Sequence, residues 1–215
     1  HHTVVNAGKI VALQTDEELK KGVNEADIIN ADGQAVIWAS KILNKPLKER
    51  VAGIDLFSNL IEFAYRNDYK IYLLGAKDEV VTKLIYKIET EYSSNIVAGA
   101  HHGYFRKDQE QAIVNEIANS GAQMLFVAMS SPKKEIFLNK YKVKLSALNF
   151  IMGVGGSFDV LAGKTKRAPK WMQNVGLEWF YRFIQEPRRM WRRYLLGNIK
   201  FIYLVIKEKL KLSRK

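Results

Sequence analysis

Two hydrophobic patterns alternate along this chain from its start to about residue 152. Short runs of consecutive apolar residues, the mark of strands covered on both faces, recur at 3–6, 28–31, 70–74, 95–98, 123–129 and 147–152. Between them apolar residues return every three or four positions, as on one face of a helix, over 33–43, 55–65, 78–91, 108–119 and 132–141. Thr15-Asp16-Glu17-Glu18 has the form of a capping box and predicts one more helix opening there. Strands and helices alternating at this spacing predict an α/β fold: a Rossmann-like, largely parallel sheet flanked by helices.

After residue 163 the pattern changes, which divides the chain into an α/β core at 1–163 and a C-terminal basic helical appendage at 164–215. Residues 188–215 carry ten Lys/Arg against one acid, Glu208, and residues 164–187 carry five bases against two acids. The formal net charge of +12 therefore sits in the appendage, and the core is close to neutral. Arg189, Arg193, Lys200, Lys207 and Lys211 share one helical face, while Trp191, Leu195, Ile199, Ile202 and Ile206 follow another. That is the pattern of a helix lying in a lipid interface, although packing on the core or on a second copy would use the same apolar face. The longest apolar stretch, 199–206, contains Lys200 and falls far short of the roughly 20 residues a membrane span needs. Attachment to a membrane surface is expected, not passage through it.

A length of 215 residues, 47% of them hydrophobic and only four proline, is enough for one sizeable core. With no cysteine, disulfides and thiolate metal ligands are excluded, and a reducing compartment is compatible. The chain opens at His1-His2 and reads as a strand by Thr3, so a further N-terminal segment is expected.

In parallel α/β sheets ligands lie beyond the carboxyl ends of the strands, so the residues after each strand are the candidates. These are Asn6, Asp32-Gly33, Gly75, His101-His102, Ser130-Ser131 and the GVGG turn of Gly153, Gly155 and Gly156 with Asp159 behind it. Glycines and small hydroxyls at such positions suit a phosphorylated small molecule. Asp32 is the sharpest candidate for chemistry, and its rival role is to cap the helix that follows. Gly75 could admit a diphosphate to a helix N-terminus, and Asp159 could orient a sugar hydroxyl or stabilise its turn. Adjacent histidines on an extended segment should point apart, which disfavours a shared metal ion. There is no His-x-x-x-His and no Asp-x-Asp, so the usual ligands of a metal-dependent nucleotide-sugar enzyme are missing; neither metal nor cofactor is expected.

VAGIDL at 51–56, HHGYF at 101–105, SSPKKE at 130–135, GVGGSFDVLAGKTKRAP at 153–169 and GLEWFYRFIQEPRR at 176–189 together resemble the bacterial WecG/TagA/CpsF glycosyltransferases. The resemblance implies an inverting, metal-independent transfer of a sugar, typically N-acetylmannosamine, from a UDP donor. The acceptor would be undecaprenyl-diphosphate-linked N-acetylglucosamine, on the way to teichoic acid or another surface polysaccharide. It implies Asp32 as general base, and Arg182 and Arg189, with Arg188, Arg192 and Arg193, as appendage cations completing the site at the inner face of the cytoplasmic membrane. Arg167 joins the substrate-binding cations, with Asn6, Gly33, Gly75, Ser131, Lys134 and the glycine turn.

Three positions depart from the family form. Val4 stands where a threonine is usual, Ser130 where a glycine is usual, and Lys134 where a neutral amide is usual. A different donor sugar, or a Lys134 contact to phosphate or to an acidic sugar, would account for the last. Two other classes compete: a nucleic-acid-binding protein using the Arg/Lys and Trp/Tyr tail, and a non-catalytic membrane-bound partner of another transferase. A neutral core with glycine turns at its strand ends speaks against the first, and retained Asp32 against the second. A homo-oligomer is compatible with the apolar tail.

Overall fold

The computed structural model describes residues 1–191 and 196–213, with the side chain of Arg189 also outside the description. Six strands, β1 (His2–Val5), β2 (Ile28–Ala31), β3 (Ile71–Gly75), β4 (Val97–His101), β5 (Met124–Ala128) and β6 (Phe150–Gly153), form one parallel sheet in the order β2-β1-β6-β5-β3-β4. The helices between them are α1 (Ala7–Ala12), α2 (Glu17–Asn24), α3 (Gln34–Ile42), α4 (Gly53–Arg66), α5 (Asp78–Glu91), α6 (Glu110–Asn119), α7 (Lys133–Lys140) and α8 (Ser157–Leu161). A C-terminal series follows: α9 (Lys170–Asn174), α10 (Glu178–Gln185), α11 (Pro187–Trp191) and α12 (Gly197–Leu212). The α/β, Rossmann-like class read from the sequence is the class found. Two local readings change. The residue capping α2 is Asp16, whose Oδ1 accepts from the Leu19 N–H at 2.9 Å, and not Thr15. The sequence pattern also missed α1, a six-residue helix capped by Asn6.

The chain divides into two compact units. The first comprises His1–Thr3, Lys21–Ile29 and Gly53–Thr165. Its central strands are apolar throughout because both faces are covered. Ile71 and Leu73 of β3, with Met124 and Phe126 of β5, face a cluster containing Phe57, Ile61, Leu84 and Phe158. Tyr72 and Leu74, with Leu125 and Val127, face Val114, Ile117, Phe137 and Leu138 on the other side. In α4, Phe57, Ile61 and Ala64 recur at four- and three-residue spacing, which is why that helix forms and which face it buries. The Tyr72 hydroxyl donates to Glu116 at 2.6 Å; burial first, and then that carboxylate, push it above the usual phenol range.

β3 leads to β4 on one side and β5 to β6 on the other, so the topological switch point lies between β3 and β5. Backbone closes that gap. Gly75 has φ of +131°, and a Cβ there would lie 2.5 Å from the carbonyl of Ala128. The Ala76 N–H donates to that carbonyl at 3.0 Å, and the Gly103 N–H to the Ala76 carbonyl at 2.8 Å.

The second unit comprises Val4–Lys20, Asn30–Ala52 and Lys166–Lys215. Its core gathers Ala7, Ala31, Val36, Ile37 and Ala39 around Phe201 and Val205 of α12. The apolar residues of α12 therefore serve two faces: Phe201 is 5% exposed, whereas Ile199, Ile202, Tyr203, Ile206 and Leu210 are all exposed. The tail helix read from the sequence falls partly outside the described residues: α11 is described to Trp191 and α12 from Gly197. Trp171, Trp179, Phe180, Ile184 and Trp191 add exposed apolar surface to α9, α10 and α11. Among the described residues no helix is long and apolar enough to cross a membrane.

Candidate active site

The candidate residues fall in both units, and each group stands on its own geometry. In the second unit Asp32 is fixed where β1 and β2 end: its N–H donates to the Val5 carbonyl at 2.8 Å, and Ala31 before it accepts from Val51 at 3.1 Å. Gly33 follows with φ of +117°, a conformation that a side chain would strain. Gly33 holds the N-cap position of α3 and makes no side-chain cap bond, so Asp32 is not that helix's N-cap residue. A Cβ on Gly33 would meet only Asn6, at 3.9 Å. Asn6 caps α1 through Oδ1, which accepts from the Lys9 N–H at 3.0 Å.

Distant segments of the same unit converge on this loop. Gly176, with φ of +78°, comes so near that a Cβ there would lie 2.7 Å from Cγ of Gln34, the first residue of α3. Two residues on, Glu178 opens α10 and accepts from Arg50 Nη2 at 3.3 Å. Arg167 Nε lies 3.6 Å from the other oxygen of the same carboxylate. All three side chains are largely buried, between 17% and 26% exposed. Arg50 immediately precedes Val51, so the Val51 bond to Ala31 holds its backbone beside Asp32. Arg50 and Glu178 escaped the sequence reading. The available signal was Glu178 itself, one of two acids in a strip rich in cations. Arg182 stands in the last turn of α10, and Arg188 is exposed on α11. The side chain of Arg189, and Arg192 and Arg193 entirely, lie outside the described residues.

In the first unit the group forms where β5 and β6 end. Lys134, 5% exposed, lies along the backbone of Gly153, where a Cβ would be 2.5 Å from its Cε and 2.9 Å from its Nζ. Its ammonium is 3.4 Å from the buried carboxylate of Glu135. Gly155 has φ of +55°, with open space where a Cβ would project, and Gly156 caps α8. The Asp159 carboxylate is 3.4 Å from Lys164 Nζ, and its carbonyl accepts from Lys164 and Thr165 N–H groups at 2.9 and 3.0 Å. Ser131 is exposed in the β5–α7 connection. The structure thus brings Lys134 to the glycine turn and leaves Asp159 tied within its own turn. Gly75 is required by the Ala128 backbone, and α5 beyond it opens with Asp78 and Glu79, which already oppose the positive end of that helix.

The His101 and His102 rings do not diverge as expected. Their centroids are 4.5 Å apart, because β4 ends at His101 and strand alternation ends with it. His101 Nδ1 lies 2.8 Å from the His102 carbonyl oxygen, and His102 Nδ1 accepts from the Tyr104 N–H.

A carboxylate at a strand end beside a left-handed glycine, in a unit rich in guanidinium groups, is chemistry suited to moving a proton while a diphosphate departs. The glycosyl transferase WecG/TagA/CpsF family model matches residues 1–215. The chain belongs to the WecG/TagA/CpsF family of glycosyltransferases.

Proposed function

We propose that this glycosyltransferase acts by inversion, without a metal ion, moving a sugar from a UDP donor to an undecaprenyl-diphosphate-linked N-acetylglucosamine. N-acetylmannosamine is the sugar that the family resemblance favours. Asp32 accepts the proton of the acceptor hydroxyl as its oxygen bonds to the anomeric carbon. The bond from that carbon to the diphosphate oxygen breaks, and its electron pair leaves on UDP. Arg50, Arg167, Arg182 and Arg188 supply positive charge for the departing diphosphate in place of the metal whose ligand motifs the sequence lacks. The observation that carries this reading is the anchoring of Asp32 between the Val5 bond and Gly33.

The enzyme works at the cytoplasmic face of the membrane, held peripherally by the appendage, and feeds teichoic-acid or other surface-polysaccharide synthesis. The exposed apolar residues of α12, with exposed Lys200 and Lys207, are its contact with lipid. Nucleic acid is not a partner in this reading, and any homo-oligomer would compete for the same apolar face. Lys134 favours a second reading within the same class, a donor sugar other than N-acetylmannosamine, because a buried ammonium at Gly153 replaces a neutral amide.

The test is UDP release from a panel of UDP-sugars, with a short-prenyl diphosphate-linked N-acetylglucosamine as acceptor. Acceptor-dependent release from one donor is expected, reduced about 10²- to 10⁴-fold in Asp32→Asn. Release that Asp32→Asn leaves intact would remove Asp32 as base. A donor other than UDP-N-acetylmannosamine would decide for the second reading.

A further inference from the structure

Within the first unit, the loop that leaves β4 is held at two points, and the side chains between them are not used by any reading so far. Gly103 seats on the end of β3: its N–H donates to the Ala76 carbonyl at 2.8 Å, and a Cβ on it would lie 3.0 Å from Cα of Gly75. Ala76 is kept in the left-handed region, with φ of +56°, by its own bond to the Ala128 carbonyl. Phe105 is buried, against Phe137 and the His101 ring. From α7, Lys133 Nζ donates to the Gly103 carbonyl at 3.4 Å and lies 4.6 Å from the centroid of the Phe105 ring. Between these anchors Tyr104 is 73% exposed. The same loop fixes two imidazoles in opposite neutral forms. A carbonyl oxygen only accepts, so the contact of His101 Nδ1 with the His102 carbonyl puts a proton on that nitrogen and leaves Nε2 an acceptor. An amide N–H only donates, so His102 Nδ1, which takes the Tyr104 N–H at 3.2 Å, is bare and its Nε2 carries the proton. Neither Nε2 has a hydrogen-bond partner among the described residues, and neither is sealed from solvent.

One acceptor and one donor on rings 4.5 Å apart, followed by an exposed aromatic face, suit a flat heterocycle that carries an N–H beside a carbonyl. Their place, past the carboxyl ends of β3 and β4, is where parallel sheets take ligands. We propose that His101, His102 and Tyr104 form the subsite for the uracil base of the nucleotide donor. His101 Nε2 accepts from the base N3–H, His102 Nε2 donates to a neighbouring carbonyl oxygen, and the Tyr104 ring stacks on the base. The proposal rests on the glycosyl-transfer reading above and adds to it the residues that choose the nucleotide. Cytosine has a bare N3 where uracil has an N–H, so it would set two lone pairs against each other at His101. A methyl group on N3 of uracil would remove the same bond.

The experiment measures binding by calorimetry on the full chain, with UDP, CDP and UDP methylated at N3 as ligands. The proteins are the wild type, His101→Phe, His102→Phe and Tyr104→Ala; phenylalanine keeps a ring against Phe105 and removes the nitrogens. The wild type should bind UDP about tenfold or more tightly than either of the other nucleotides. His101→Phe should bind UDP about tenfold more weakly and lose that preference, because the residue change and the methyl group remove one and the same bond. His102→Phe should weaken UDP by a similar factor and keep the preference for UDP over its N3-methyl form. Tyr104→Ala should weaken all three about tenfold, with the melting temperature unchanged. A merely structural role would lower the melting temperature of His101→Phe and weaken all three nucleotides alike, preference intact, which would overturn the proposal. A wild type that binds the three equally overturns it as well, and that result needs no variant to fold. A wild type that binds none of them overturns the glycosyl-transfer reading and this proposal together; selective UDP binding that His101→Phe retains overturns this proposal alone.

Discussion

The two units of this chain are built by opposite means. Most of the first is one continuous stretch, Gly53–Thr165, and the strand ends at its switch point are sealed by backbone meeting backbone. The second is assembled from three separated segments, and its small core of alanines and β-branched residues is completed only by Phe201 and Val205, near the end of the chain. The contrast extends to surface: α9 to α12 of the second unit expose tryptophans and a row of isoleucines. One unit is a rigid scaffold of local crossovers. In the other, the geometry around Asp32 depends on residues more than a hundred positions away.

Glycine substitutions should break this comparison most sharply. At Gly75 an alanine Cβ would meet the Ala128 carbonyl at 2.5 Å, and neither strand can move without breaking its register. Gly75→Ala should cost about 3 kcal/mol or more, from strain and overpacking together. At Gly176 the obstacle is the Gln34 side chain, which can rotate away, so Gly176→Ala should cost only the left-handed penalty of about 1–2 kcal/mol. Denaturant unfolding of the two variants checks the ranking. Equal costs would mean that the second unit is as rigid at its joins as the first.

Next in size is the core supplied by α12. Phe201→Ala should destabilise by about 3–5 kcal/mol, the usual cost of deleting a buried aromatic ring. Ile202→Ala, on the exposed face of the same helix, should stay within about 0.5 kcal/mol. Thermal melting separates them. A small loss for Phe201→Ala would show that the second unit holds together without its C-terminal helix, and the contrast between the units would weaken.

The same contrast decides what could be read in the sequence. All six strands were legible as short apolar runs; those covered on both faces, at 71–75 and 124–128, are written without a break, whereas β2 leaves Ile28 and Ile29 exposed. Helix α5 was read to the residue, since Asp78 and Glu79 mark its start and its apolar positions keep their spacing. Helix α1 was lost: six residues are too few to show a period. The division at residue 163 followed composition, whereas the compact units follow contacts that return the chain's end to its beginning. For the candidate site, Asp32 and Gly33 were legible because strand ends and glycines are local signals. Lys134 was visible as a departure from a motif, but its seat along Gly153 depends on β5 lying beside β6. Glu178 stood out only as one of two acids in a cationic strip, Arg50 carries no local mark, and only the fold brings the two together.

The smallest expected effect concerns the exposed face of α12. Lys200 and Lys207 are both exposed on the helix that also exposes Ile199, Ile202 and Ile206, and each lysine near an anionic surface contributes about 1 kcal/mol. Replacing both with serine should lower partitioning onto vesicles of mixed neutral and anionic lipid by about tenfold or more. It should leave the melting temperature unchanged, because neither side chain is in the core. Added salt should shrink the difference, since charge at an exposed surface is screened within about 10 Å at 0.1 M. Partitioning that ignores both lysines yet falls in Ile202→Ser would make this face a hydrophobic protein contact. The second unit would then differ from the first by an exposed interface for protein, and membrane attachment would have to come from other parts of the appendage.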